Sequence, residues 1–503
     1  MLPRIIAGRD ILPPRRILSD GRSVGERPDT EGATVQSRRD QLQAYKFLTR
    51  RALAALVVGE PDVPEAPMRR LSLTTLTGIM VAVLATAGFA VFGLIRPGNN
   101  TKIETGTIYI ERGTGAQFVL LDDGFLHPTL NYTSAVLAAG KNGQVGTKTV
   151  SSGALTHKQH SFTVGISGVP QSLPRSGGGL VRTPWSVCSQ IKEQAASDNQ
   201  AEVTVTIGSI GGATPLQPND GIIVSAPGAG QPEYLLWQGK RLKVAGDDIS
   251  TALGLQSGNP LIIGSGLLNA LPEGPVLQTP TIPGAGTDGP TIGGQRTVVG
   301  QLVQITDDNS FQVVLSDGLA PVRPVWVGLL RTMLVGGRLL DPVRTSVRNV
   351  LIPGVPHSKN PHAALQQFDG LPSDTPTFPD GPAQAGGACV IFHENAPLTL
   401  AVPQGTAPAN GGEVRESSLA AQGIADQVNV PAEKAAVVAS TSGAVGRYVI
   451  AAPGKKFSTS TAALGLLGYG SVTPVNVPSQ LLLLIPKGPA LDSDSARHEA
   501  IGS

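Results

Sequence analysis

Cysteine is almost missing from this chain: 503 residues contain two. That is too few for a disulfide scaffold or a four-cysteine zinc site. Aromatic residues make up 4% and charged residues 15%, against about 25% charged in ordinary globular domains. So few aromatics leave little for the stacking platforms that bind nucleic acid or glycan. The net charge of +2 excludes a strongly basic nucleic-acid binder. Disorder needs low hydrophobicity and high net charge, and 40% hydrophobic residues with that small charge exclude it for the chain as a whole. The phosphate-cradling pattern G-x-x-x-x-G-K-S/T is absent. Gly140 to Thr149 (GKNGQVGTKT) is a near miss with the wrong spacing. There is no G-x-S-x-G elbow, and His393-Glu394 does not continue to H-E-x-x-H. His157 and His160 lack further ligands at useful spacing and read as polar loop residues. Asn131-Tyr132-Thr133 is a formal glycosylation sequon of a kind that arises by chance, and Trp185, Trp237 and Trp326 read as packing residues. No catalytic, cofactor-binding or metal-binding residue is expected.

Glycine (62) and proline (41) together form about a fifth of the chain, so a folded protein of short, turn-rich elements is expected. One long apolar run stands out: Leu71 to Ile95 (LSLTTLTGIMVAVLATAGFAVFGLI) carries no charged side chain over 25 residues. About 20 apolar residues span a bilayer as a helix, whose backbone is satisfied internally. The run is too long and too far from the start for a cleaved signal peptide, so it reads as an anchor. Residues 1–70 hold 13 Lys/Arg against 9 Asp/Glu, which by the positive-inside rule puts the N-terminus in the cytoplasm and the remaining body outside it. Gly78, Ala82, Ala85 and Gly88 give the span small residues where helices could pack closely. The later run Gln480 to Ile485 (QLLLLI) is too short to span and reads as a buried strand.

Residues 1–34 are rich in Arg, Pro and Gly without periodicity. They read as disordered, or as sequence upstream of a true start near Val35. Residues 35–70 form a cytoplasmic arm. Within it, Gln41 to Val58 places Tyr45, Leu48, Ala52, Ala55 and Leu56 at helical spacing, with Lys46, Arg50 and Arg51 among them. Tyr45, Lys46, Phe47, Arg50 and Arg51 are the candidate contacts with the inner leaflet or a cytoplasmic partner. A short helix that only solvates the membrane approach is the alternative.

Beyond the span, four stretches repeat an apolar run, a tight turn and a second extended run. They are Phe118 to Gly124 (FVLLDDG), Tyr234 to Lys240 (YLLWQGK), Gln312 to Gly318 (QVVLSDG) and Tyr448 to Lys455 (YVIAAPGK). Asp-Gly, Gln-Gly and Pro-Gly supply the turn residue that a hairpin needs. Downstream, the second and fourth share A-L-G-L and then P-E-G-P or P-K-G-P; the first and third share ISGVPQS and IPGVPHS. One cysteine lies in the middle of each half, Cys188 between the first two repeats and Cys389 between the last two. The simplest reading is a tandem duplication with a pseudo-twofold. The cysteine segments, with VTVTI (Val203 to Ile207) and LTLAV (Leu398 to Val402), are expected to pair into one core. In an oxidising compartment Cys188 and Cys389 would bridge, as the symmetry favours; two independent buried thiols are the alternative. The expected divisions are 71–95 for the span, 101–172 for repeat 1, 173–230 for the first core segment, 231–290 for repeat 2, 297–365 for repeat 3, 366–440 for the second core segment, 441–491 for repeat 4 and 492–503 for a tail. Pro280 to Gly294 and Phe368 to Gly387 read as linkers or surface loops.

The chain resembles the EccB family of mycobacterial type VII (ESX) secretion systems. The resemblance is carried by QAYKFLTRR (Gln43 to Arg51), the span ending in Leu94-Ile95-Arg96-Pro97, and HPTLNYTSAVL (His127 to Leu137). It continues through GVPQSLP (Gly168 to Pro174), WSVC (Trp185 to Cys188), GLLNALPEGP (Gly266 to Pro275), PTIPGAG (Pro280 to Gly286) and VVLSDGLAPV (Val313 to Val322). It implies an α+β protein: one transmembrane helix, then an elongated periplasmic body of four small β-rich α/β repeats around a disulfide-linked β core. It implies a structural subunit of the inner-membrane secretion complex, self-associating in the periplasm and assembling with the EccC motor ATPase, EccD, EccE and the mycosin protease. The repeats resemble a cell-wall-binding module, so the cell wall is a further candidate contact; nucleic acid is not expected. ATP hydrolysis has been proposed for the family, but the missing phosphate loop argues against it here, with EccC the better home for it. The rivals are a membrane-anchored wall-binding protein acting alone, an accessory ATPase, and an anchored periplasmic enzyme.

Overall fold

The computed structural model describes residues 38–59, 67–95, 101–140, 145–191, 201–228, 230–255, 260–351, 354–404, 423–441 and 446–500. The expectations for residues 1–34 lie outside them. The chain divides into two units, Met1–Arg96 and Pro97–Ser503.

Among the described residues the first unit holds two helices, α1 (Arg38–Val58) and α2 (Pro67–Ile95). Within α2, Ser72–Val91 has a mean hydropathy of 1.8 over 20 residues and none of it is buried. Leu76, Ile79, Leu84 and Phe89 are all exposed. An apolar helix uncovered on every side fits lipid rather than a protein core.

The second unit opens with a four-stranded sheet: β1 (Thr107–Glu111), β2 (Gln117–Leu120), β3 (Leu126–Pro128) and β4 (Gly146–Val150), in the order β3-β2-β1-β4. The first three strands form antiparallel hairpins. Helix α3 (Tyr132–Ala139) then carries the chain over to β4, which runs parallel to β1. A parallel neighbour needs such a crossover. A short helix, α4 (Ser152–Leu155), follows.

The central strands come next: β5 (Trp185–Ile191), β6 (Ala201–Ile207) and β7 (Thr214–Pro215). The second sheet repeats the plan of the first with β8 (Gly221–Ser225), β9 (Glu233–Trp237), β10 (Lys240–Lys243), α5 (Asp247–Ala252), β11 (Leu261–Ile262) and α6 (Ser265–Ala270). A hairpin of β12 (Asp288–Ile292) and β13 (Gln295–Val298) leads into the third sheet. That sheet has β14 (Leu302–Ile305), β15 (Phe311–Leu315), β16 (Gly318–Val322), α7 (Pro324–Leu330), β19 (Val343–Thr345) and α8 (Val347–Leu351). A small exposed hairpin, β17 (Leu334–Val335) with β18 (Arg338–Leu339), is inserted before β19. The second set of central strands is β20 (Gly387–Phe392), β21 (Thr399–Val402) and β22 (Gln427–Asn429). The fourth sheet closes the chain with β23 (Ala435–Ser440), β24 (Arg447–Ala451), β25 (Lys455–Thr459), α9 (Thr461–Leu466), β26 (Val475–Val477) and α10 (Ser479–Leu483). All four sheets share one strand order, with the last strand parallel to the first.

Between them lies a six-stranded sheet in the order β22-β6-β5-β20-β21-β7. Strands β5 and β20, one from each half, pair antiparallel at its middle over six residue pairs. Trp185, Val187, Val203, Val205, Val390 and Phe392 from this sheet share one core with residues of the second and fourth sheets. The hairpin turns of those two sheets sit against the central strands. Gly239 and Gly454 have positive φ, and a Cβ would lie 2.5 Å from the Leu398 carbonyl oxygen in one case and the Val428 carbonyl oxygen in the other. Only glycine fits there.

Three readings of the sequence need correction. Gln480 to Ile485 is not a strand: Ser479–Leu483 is helical, with Leu481 and Leu482 buried and Leu483 exposed. A run of leucines has no period to separate strand from helix. Pro280 to Gly294 is not all loop, because β12 lies in it and Ile292 is fully buried. Phe368, in the other expected loop, is 2% exposed and stacks on Trp326 with ring centroids 4.9 Å apart. The second and fourth sheets also start earlier than the divisions drawn at 231 and 441, at Gly221 and Ala435. Their first strands are apolar runs with no turn signal of their own linking them to the hairpin.

Candidate functional site

At the centre of the second unit, Cys188 and Cys389 occupy directly opposed positions on β5 and β20. They are joined as a disulfide, with Cα atoms 4.0 Å apart and a sequence separation of 201. Ala213, Ile391 and Ala401 enclose the bridge. Two strands from distant parts of the chain pair here, and the register brings the cysteines together. The bridge ties the two halves of the body at the midpoint of its central sheet.

A second link joins the central sheet to the fourth. Glu394 lies just past the end of β20 and is mostly buried. Its Oε2 accepts from Arg182 Nη2 at 2.5 Å and its Oε1 from the Asn476 amide on β26 at 3.2 Å. Burial pushes this carboxyl up, but the Asn476 amide and the Arg182 guanidinium outweigh it and hold it below its ordinary range. Arg182 also donates to the Thr473 carbonyl at 2.9 Å. In the first sheet, the fully buried His127 lies between the Phe162 carbonyl oxygen at 3.0 Å and Asp123 Oδ2 at 2.9 Å. Sequence reasoning passed over both contacts, since each joins residues that nothing in the sequence sets apart as partners.

The arm candidates Tyr45, Lys46, Phe47, Arg50 and Arg51 all lie on α1 and are exposed. Tyr45 and Phe47 are 70% and 62% exposed. Gly78, Ala82, Ala85 and Gly88 lie on α2, and a Cβ at Gly78 or Gly88 would meet nothing within 4 Å. The surfaces that these residues offer are therefore open.

His160 and the sequon have structural work. His160 Nε2 donates to the Leu155 carbonyl oxygen at 3.2 Å, and its ring meets Phe118 edge-on. Among the described residues no cluster of three His, Cys, Asp or Glu could hold a metal ion. Asn131 is the N-cap of α3: its Oδ1 accepts from the Ser134 amide at 2.8 Å and its Nδ2 donates to the Ile166 carbonyl at 3.0 Å. It is 5% exposed, which leaves no room for a glycan. Lys148, in the phosphate-loop near miss, lies in strand β4 rather than in a loop opening a helix. Trp185 and Trp237 are each 1% exposed, so both are core residues.

An exposed apolar helix long enough to cross a membrane precedes a disulfide-tied body of four sheets that share one strand order. The sequence model described as "Type VII secretion system ESX-1, transport TM domain B", that of EccB, matches residues 35–502, and the chain belongs to this family. A similar protein from Mycolicibacterium smegmatis, ESX-3 secretion system ATPase EccB3, is 29% identical over 540 aligned residues, covering 97% of this chain and 96% of that one. ESX-2 secretion system ATPase EccB2 of Mycobacterium tuberculosis is 26% identical, covering 92% and 94%. Among solved structures, a chain of an intact ESX-5 inner membrane complex superposes with a TM-score of 0.61 at 23% identity, covering 94% of this chain and 97% of that one. The EccB3 dimer from the ESX-3 core complex gives 0.60 at 24% identity, covering 78% and 99%.

Proposed function

We propose that this chain is a structural subunit of an inner-membrane ESX secretion complex. In this reading α1 docks on the cytoplasmic side, α2 crosses the membrane, and the second unit self-associates in the periplasm. The disulfide carries the orientation. A bridge that ties the halves of the body persists only in an oxidising compartment, so the body lies outside the cytoplasm. The basic arm then lies inside, as the positive-inside rule requires. The four sheets read as copies of one unit duplicated in tandem, supported by their common element order. The small-residue face of α2 packs against other membrane helices. Tyr45, Lys46, Phe47, Arg50 and Arg51 meet a cytoplasmic partner. Candidate partners are EccC, EccD, EccE and the mycosin protease of the same system, with ATP hydrolysis supplied by EccC. The dimer formed by the related EccB3 supports self-association.

The test is a native gel of gently solubilised membranes, read by mass spectrometry. Migration with a motor ATPase in a large assembly is expected. Migration as a lone monomer or homodimer overturns the reading and favours an anchored wall-binding protein.

A further inference from the structure

The second and fourth sheets treat their third strand alike. In one, the Arg241 amide donates to the Pro272 carbonyl at 3.0 Å and its carbonyl accepts from Gly274 at 2.8 Å. In the other, Lys456 and Pro486 repeat the first bond at 2.9 Å, and Gly488 and Lys456 the second at 2.9 Å. Both cations also brace the adjoining helix: Arg241 Nη1 donates to the Leu268 carbonyl and Lys456 Nζ to the Leu482 carbonyl. The residues bridged to them differ in charge. Arg241 faces Glu273, whereas Lys456 faces Lys487.

The like-charged pair lines a cleft of about 470 Å³, with Asn269, Ile424 and Leu483 on its walls. That volume lies within the roughly 300–1,000 Å³ of ligand-binding pockets. The charged groups on its walls, Lys456 and Lys487, are both donors. Asn269 Oδ1 is taken by Arg241 Nη1 at 3.0 Å, which leaves its amide nitrogen for the side of Gly423, 2.9 Å from where a Cβ would stand. Leu483 is 67% exposed beside them.

From this geometry we propose that the cleft between α6 and α10 binds a short acidic peptide segment of a partner protein, its carboxylate on Lys456 and Lys487 and its apolar side chain on Leu483 and Ile424. Among the described residues no acid lines this cleft, so the two ammonium groups repel each other and a bound carboxylate relieves that cost. Burial pushes the Lys456 ammonium down to about 8, and Lys487 adds to the effect. A bound carboxylate would offset the repulsion from Lys487. The exposed leucine favours a peptide over a free anion, because an inorganic ion gains nothing from an apolar wall. This site is additional to the assembly reading, so failure of the peptide to bind leaves co-migration with a motor ATPase unaffected.

The test uses the full chain in detergent and two labelled peptides, acetyl-Leu-Glu-Leu-Glu-Ile-amide and its counterpart with glutamine for glutamate. Fluorescence anisotropy is expected to show the glutamate peptide binding about tenfold tighter or more, as hydrogen bonds to charged groups imply. Lys487→Glu rebuilds the charge pair that the second sheet carries, so the fold is retained and the preference is lost. Bound glutamate peptide also slows acylation of Lys456, read by mass spectrometry. Equal affinity for the two peptides overturns the proposal, as does a preference that survives Lys487→Glu. Displacement by inorganic phosphate at the peptide's own concentration shows a free-anion site and overturns the peptide occupant.

Discussion

Opening the Cys188–Cys389 bridge removes one covalent link and little else. Strands β5 and β20 stay paired from Gly387↔Gln190 to Phe392↔Trp185. The core on the other face of these strands, with Trp185, Val187, Val390 and Phe392, is untouched. What changes is the unfolded chain, which gains the freedom of a 201-residue loop. Chain entropy puts that at about 5 kcal/mol as an upper figure. Cys188→Ala with Cys389→Ala is the suitable perturbation, since alanine suits a pocket formed by Ala213, Ile391 and Ala401. The assay is urea unfolding of the full chain in detergent, followed by tryptophan fluorescence. Trp185 lies in the strand that carries Cys188 and Trp237 in the second sheet, so both report on the body. With a urea slope of about 3 kcal/mol/M or more for a body this large, the midpoint falls by up to about 1.5 M. Reduction of the wild type should give the same shift. Equal midpoints for oxidised and reduced protein would refute the reasoning. So would a thiol reagent that labels either cysteine before reduction.

Glu394→Gln should lower stability by about 1 kcal/mol, because Arg182 is half exposed and solvent screens the pair. The Glu394 carboxyl is held below its ordinary value in the fold, so its contribution is present above the unfolded pKa and lost as pH falls through the folded one. Denaturation midpoints of wild type and variant should therefore converge in acid below the ordinary glutamate value of 4.5, and a constant gap would sink this account. Gly454→Ala combines left-handed backbone with a clash on the Val428 carbonyl, so a loss on the order of 3 kcal/mol is expected in thermal unfolding; an unchanged melting temperature contradicts the packing. Gly78→Leu with Gly88→Leu should weaken helix association by about 1–2 kcal/mol. The check is recovery of the complex after mild solubilisation, where undiminished recovery excludes the small-residue face as a contact.

Much of the body could be read in the residues because its elements end in local signals. Asp123-Gly124, Gln238-Gly239 and Pro453-Gly454 mark hairpins that the structure forms between β2 and β3, β9 and β10, and β24 and β25. The span announced itself by length alone. The pairing of the cysteine segments followed from their equivalent places in the two halves. What escaped notice depends on long-range contact. The first strands β8 and β23 carry no turn of their own, so only their partners reveal which sheet they join. The leucines of α10 are apolar at every position, and only tertiary packing decides which of them is buried. Arg182 and Glu394 are separated by 212 residues, a distance at which no sequence pattern links an arginine to an acid.

The way the cores are shared separates the four sheets into an inner and an outer pair. Sheets two and four each press a turn glycine onto the central strands and share its core, so their position is fixed by backbone contact on both sides of the bridge. The first sheet has no such attachment; its core is shared with the fourth through Ala435, Val437 and Val449. The third shares its core with the second through Leu235, Trp237 and Val313. Each outer sheet is thus carried by an inner one, and the inner pair by the disulfide-tied centre. Substitutions on the inner pair therefore act on the whole body, whereas those on the outward side of the first or third sheet alter one unit.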